Sequence, residues 1–144
     1  MLVNECMTRD VRLVDPDDTL RDAAVAMAEI DAGFLPVREN DRLVGIITDR
    51  DIAIRGVAKG LSPDAEVRAV MSDEIRYCFE DDDADDVLAN MGEIQVRRLP
   101  VMNHDKRLVG VVSISDLAGN GEEMQAGEAL CEIARPSKLH SQMA

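Results

Sequence analysis

A chain of 144 residues that is 46% hydrophobic has the apolar material for one domain or for two small ones sharing a core. Its formal charge of −13 disfavours nucleic acid and anionic membrane as partners, since both select basic surfaces. No apolar run approaches the roughly 20 residues that span a bilayer, and the opening MLVNECMTRD lacks the charged and apolar regions of a signal peptide, so a cytoplasmic location is expected.

In chain order, a short strand over Val11–Val14 leads to an amphipathic helix that starts at Thr19 and carries Leu20, Ala23, Ala24, Met27 and Ile30 on one stripe. A hairpin follows, Phe34–Arg38 with Leu43–Ile47, whose continuous Val, Ile and Leu content predicts burial on both faces. A second helix carries Ile52, Ile54 and Val57. Ser62 as N-cap and Pro63 at the first helical position predict a short linker helix over 62–71. The pattern then repeats: a strand over Ile75–Phe79, a helix starting at Asp83 with Ala84, Val87, Leu88, Met91 and Ile94, a hairpin of Arg98–Met102 with Leu108–Val112, and a helix with Leu117 and Ala118. A last helix, with Leu130, Ile133 and Ala134 on one face, runs to Pro136 and docks on its own module or on a dimer partner.

The repetition extends to single residues. Met7-Thr8 matches Met71-Ser72, and Leu35-Pro36-Val37 matches Leu99-Pro100-Val101 at the same offset. After an insertion in the polar turn, LVGIITDRD ending at Asp51 matches LVGVVSISD ending at Asp116. The expected domains are residues 1–60, 61–120 and a helical tail, 121–144. A unit of about 60 residues has little core, so the two are expected to pack sheet to sheet about a pseudo-two-fold axis, with a cleft for each motif.

Thr48-x-x-Asp51 and Ser113-x-x-Asp116 have capping-box spacing, and capping alone accounts for that spacing. Binding is the other reading. Hydroxyl, carboxylate and helix-start N–H groups converge there, and Gly45 and Gly110 weaken a strand unless something approaches closely. Cys6, Cys78 and Cys131 are scattered without a C-x-x-C pair, which argues against a disulfide scaffold or structural zinc. They read as small buried hydrophobes, with an intersubunit disulfide or a redox-sensitive thiol as the alternative. The acidic run FEDDDADD lacks the glycine turn and ligand spacing of a calcium loop and reads as a helix start complementing the macrodipole. His104, in a turn, and His140, in the tail, stand beside no nucleophile pattern, so no enzyme activity is expected.

The strand-Gly-x-x-Thr/Ser-x-x-Asp ending, the Leu-Pro-Val and the Met-Thr/Ser at the start of each repeat resemble the cystathionine β-synthase (CBS) domain, paired as a Bateman module. The resemblance covers about Val3 to Gly119 and is nearest the small stand-alone CBS pairs. It implies an α/β fold of two β-α-β-β-α repeats and regulatory binding of AMP, ADP, ATP or S-adenosylmethionine, with no cofactor required. Asp51 and Asp116 would hold ribose hydroxyls, and Thr48 and Ser113 would contact ribose or phosphate. Backbone near Val37 and Val101, with Thr8 and Ser72, would meet the adenine edge. Arg50 in the first copy, and Arg97 and Arg98 in the second, are candidate phosphate partners, although Arg50 also stands between Asp49 and Asp51 and can pair with them. The acidic charge favours monophosphates or a sulfonium over triphosphates. The resemblance also implies a homodimer and a target protein; a module that signals through partners or thiols without nucleotide is the competing reading.

Overall fold

Capping and hairpin chemistry build two units in the computed structural model, which describes residues 1–135. One unit is Val11–Ile75; the other combines Met1–Asp10 with the chain from Arg76 onward. Pro136 and His140 lie outside the described residues.

In the unit Val11–Ile75, Thr19 caps helix α1 (Leu20–Ile30) through a reciprocal bond with Asp22, its hydroxyl accepting the Asp22 N–H at 3.0 Å. Strands β1 (Phe34–Glu39) and β2 (Arg42–Thr48) form an antiparallel hairpin. Its turn residues Asn40 and Asp41 have φ of 52° and 65°, the sign that a tight two-residue hairpin demands. The strand expected over Val11–Val14 contracts to a single parallel rung, Val14 on Val37, because the backbone of Val14 alone reaches Pro36 and Arg38. Ser72 pairs antiparallel with Ile46 on the far edge. Leu35, Val37, Ile47, Val67 and Val70 are fully buried and form this unit's core with Leu20, Ala23 and Met27.

The other unit repeats the scheme. Strand β3 (Cys78–Phe79) runs parallel to β4 (Arg98–Met102), β5 (Leu108–Ser113) closes the hairpin, and Thr8 pairs with Val111 on its outer edge. Asp83 caps α3 (Ala84–Ile94), as the sequence predicts. Val3, Leu88, Met91, Leu99, Val101, Val112 and Leu117 form its core.

Three further expectations change. The linker helix over 62–71 does not form: Ser62 makes a tight turn, its hydroxyl accepting the Asp64 N–H at 3.1 Å, and a single 3-10 turn covers Val67–Ala69. Pairing of this stretch with the start of α1, Leu20 N–H to Ala65 C=O and Arg21 N–H to Pro63 C=O, holds it away from helical geometry. Burial on both faces holds for β4, but β2 and β5 bury alternate residues, Gly45 and Ile47, then Gly110 and Val112. Helix α5 (Glu123–Ile133) buries Ala126, Ala129 and Ile133 rather than Leu130 and Ala134, and packs on α3 and on α4 (Ile114–Gly119). Gly92 permits that approach: a Cβ there would lie 3.3 Å from the Ala129 Cα. Among the described residues no helix is long and apolar enough to cross a membrane.

Candidate functional site

Each hairpin ends by running straight into a helix, and the repeated motif occupies that junction. Thr48 is extended (φ −119°, ψ 162°) and caps α2 (Asp49–Asp51), which continues as a π-helical turn over Ile52–Gly56 and a 3-10 turn over Val57–Lys59. The Thr48 N–H donates to Asp51 Oδ2 at 3.0 Å and the Asp51 N–H donates to Thr48 Oγ1 at 3.1 Å. At the start of α4, Ser113 and Asp116 reproduce both bonds at 3.0 and 3.1 Å. The capping box is therefore formed twice. In each, Oδ2 serves the cap and leaves Oδ1 outside it.

The two glycines face a close neighbour, and that neighbour is the chain itself. A Cβ on Gly45 would lie 2.8 Å from both Met71 Sδ and the Ser72 carbonyl oxygen; a Cβ on Gly110 would lie 2.8 Å from Met7 Sδ and the Thr8 carbonyl oxygen. Ser72 exchanges both backbone bonds with Ile46 (2.8 and 2.9 Å), and Thr8 does so with Val111 (2.9 and 2.9 Å). The candidate residues thereby sort crosswise: Ser72 flanks Thr48 and Asp51, whereas Thr8 flanks Ser113 and Asp116.

Val37 and Val101 lie deeper. Their side chains are fully buried and their backbones sit inside the sheets, between Gly45 and Val14 in one case and between Gly110 and Cys78 in the other. They form the rung behind each site. Arg50 is exposed, its N–H bonded to Asp49 Oδ1 at 2.8 Å, and among the described residues its guanidinium has no carboxylate partner. Arg97 accepts the Ile114 N–H through its carbonyl at 3.0 Å, and Arg98 stands opposite Ser113 in the β4–β5 register, so both flank the second motif. Their counterparts are Gly33, whose carbonyl accepts the Asp49 N–H at 3.0 Å, and Phe34.

Arg55 stands beside the first motif, and sequence reasoning overlooked it. Its Nε lies 4.0 Å from Asp51 Oδ1, and its NH1 donates to the carbonyls of Val70 and Met71, each at 3.2 Å. The signal was a basic residue four positions after the motif aspartate, on the same helical face. The second motif has Asn120 there, which donates to the Asp116 carbonyl at 2.6 Å.

The cysteines divide. Cys78 is buried, and that burial pushes its thiol up to about 12. Cys6 is half-buried; burial first, then the negative charge of Asp116, raises its thiol. Cys131 is exposed on α5, contrary to the buried reading, because α5 turns its alanine face inward. No disulfide joins them. In the acidic run, Asp82 Oδ2 accepts the Phe79 N–H at 2.9 Å, and Asp81 holds His104 Nε2 at 2.8 and 2.9 Å while Phe79 stacks on that imidazole at 4.5 Å.

The CBS domain profile matches residues 3–56 and 67–122. A CBS domain-containing protein of Bacillus subtilis, YhcV, is 38% identical over 133 residues, covering 92% of this chain and 94% of its own. Hypoxic response protein 1 of Mycobacterium tuberculosis is 37% identical over 139 residues, 95% of this chain and 96% of its own. Among solved structures, that of Hypoxic Response Protein I with two coordinated zinc ions aligns with a TM-score of 0.75 at 39% identity, over 83% of this chain and 98% of that one. The CBS domain pair of MJ0100, in complex with 5'-methylthioadenosine and S-adenosyl-L-methionine, has the same fold, with a TM-score of 0.76 at 23% identity over 86% of this chain and 98% of that one.

Proposed function

We propose, from the premise that this chain belongs to the CBS domain family and carries the domain twice, that it is a non-catalytic regulatory module of the cytoplasm that senses an adenosyl ligand. The observation that carries the reading is the pair of motif carboxylates, Asp51 and Asp116, each oriented by its cap through one oxygen with the other left outside the cap. A carboxylate held this way accepts the two hydroxyls of a ribose, and bonds to a charged acceptor are stronger than neutral ones. Thr48 and Ser113 stand at the same corners, with Arg50 and with Arg97 and Arg98 as cations within each neighbourhood. AMP, ADP, ATP and S-adenosylmethionine form the ligand set, with monophosphate or sulfonium favoured by the charge of −13. That the same fold in MJ0100 holds adenosyl compounds supports this choice. Calorimetry with the four ligands tests it. Saturable heat with at least one is the expected result. Its absence with all four at millimolar concentration leaves the motifs as helix caps and the chain as a nucleotide-independent interaction module.

We further propose that the protein is a homodimer joined through the Val11–Ile75 unit. On the other unit, α5 covers Leu88 and Gly92 of α3. The matching Ala24 and Ala28 of α1 are exposed, as are Val25, Ile54 and Val57, the last at 72%. A second copy supplies the missing cover. Light scattering should give twice the chain mass at micromolar concentration, and Val57→Asp should shift it towards the monomer; a monomeric wild type would overturn the proposal.

A further inference from the structure

The two motifs share their caps, their glycines and their strand partners, and they differ at one side chain that joins two walls of the site. In the first, the Met71-Ser72 backbone lies against Gly45, and the carboxylate of Asp51 lies at the start of the helix. Arg55 spans them. It reaches the carbonyls of Val70 and Met71 at 3.2 Å each, and its Nε stands 4.0 Å from Asp51 Oδ1, the oxygen that the cap does not use. In the second motif Asn120 turns back to its own helix, bonding the Asp116 carbonyl, and no corresponding cation bridges Asp116 to the Met7-Thr8 backbone among the described residues.

We propose that Arg55 is a ligand-positioning residue of the Thr48–Asp51 site, fixing the free oxygen of Asp51 relative to the Met71-Ser72 strand so that a ribose and the base beside it meet a preformed frame. The inference rests on the adenosyl reading of the motif. Three features support positioning over mere stabilisation. The Arg55 side chain is half exposed, at 52%, where an ion pair contributes little to folding. Its planar guanidinium donates to two carbonyls through NH1 while its Nε faces the Asp51 carboxylate 4.0 Å away, an arrangement a lysine ammonium does not reproduce. The Asp51 side chain, only 19% exposed, is the better shielded partner, so its orientation is sensitive to what faces it. A frame assembled before binding spares the ligand the cost of ordering it.

The test uses the full chain with Asp116→Asn in the background, which confines strong binding to the first motif. AMP and adenosine are titrated calorimetrically into this protein and into the same protein carrying Arg55→Asn, the residue of the second motif, or Arg55→Lys. The expected result is a loss of about tenfold in affinity for both ligands with Arg55→Asn, within the cost of ordering one side chain on binding rather than before it. Arg55→Lys should fall between, and the melting temperature of the unliganded protein should be essentially unchanged. A loss confined to AMP would make Arg55 a phosphate contact and overturn the positioning role. Unchanged affinity with a lowered melting temperature would make it a structural ion pair and overturn it equally. Absence of heat with both ligands in the wild-type chain and in the Asp116→Asn background would instead remove the adenosyl reading, and this inference with it.

Discussion

Asp51 and Asp116 each serve the helix with one oxygen and present the other, and the two roles respond differently to a change of charge. Asparagine retains an oxygen for the Thr48 or Ser113 N–H, so Asp51→Asn should alter folding stability by about 1 kcal/mol or less. Ribose binding loses its charge-assisted pairing, about 1.5–3 kcal/mol, or roughly ten- to more than a hundredfold in dissociation constant. Calorimetry beside thermal melting separates the two, and a variant that melts lower while binding normally would return the motif to capping alone. His104 offers a second titration. Its bond to Asp81 raises the imidazole above its ordinary 6.5, and the same bond lowers Asp81 below 3.8. A raised histidine contributes fully below its unfolded value and loses that contribution as pH rises through its folded one. The lowered aspartate contributes above its ordinary value and loses that contribution as pH falls through its folded one. The link between the β4–β5 turn and the approach to α3 is therefore strongest in mildly acidic solution and fades as His104 deprotonates. NMR titration of the His104 ring should place its midpoint above 6.5, and Asp81→Asn should return it towards that value; identical midpoints would show that the pair does not persist in solution.

Gly45 and Gly110 show how a strand residue can be read correctly and its neighbour misassigned. A glycine inside a strand signals close approach, and the approach is present, but what comes near is the Met71-Ser72 or Met7-Thr8 backbone. Gly45→Ala must push that backbone away and should cost about 1–3 kcal/mol, the range for overpacking, measured by chemical denaturation. Gly60→Ala makes a poor contrast, since its φ of 78° carries its own strain; Gly127→Ala, inside α5 with nothing within 4 Å, should instead stabilise by roughly 0.5–1 kcal/mol through helix propensity. A Gly45→Ala variant as stable as the wild type would mean that the strand edge yields freely. The hairpins, α1 and α3 with their caps, and the capping boxes of both motifs were legible because each follows from local spacing. The linker turn was not. Ser62 and Pro63 suit a helix start locally, and the competing bonds come from Leu20 and Arg21, more than forty residues away. Arg55 escaped notice for a related reason: its partners Val70 and Met71 are carbonyls, which leave no mark in a pattern of side chains.

The linear repeats and the spatial units do not coincide, and that difference bears on how the chain can be divided. Residues 1–60 lack Val67, Val70 and Ser72, which complete the core and the edge around β2. Residues 61–144 lack Val3, Met7 and Thr8, which do the same for β5. A chain of about 60 residues has little stability to spare. Fragment 11–75 should therefore give a dispersed amide NMR spectrum and fragment 1–60 should not; dispersion in both would mean that each repeat folds as a linear unit. Self-similarity identifies which residues correspond, yet it is silent on which copy receives them, because Thr8 and Ser72 occupy equivalent positions in either arrangement. The exchange also sets an order of events on the ribosome. Synthesis runs from the N-terminus, at roughly 5–20 residues per second, so the Val11–Ile75 unit is complete while the first ten residues still have nothing to pair with. Val3 meets its partner once Asp82 emerges, whereas Met7 and Thr8 wait in water until Val111 and the strand that carries it have followed. For those few seconds the nascent chain holds a finished unit with an apolar segment in front of it, and that segment, the first to be made, joins its own fold only after the unit it precedes is complete.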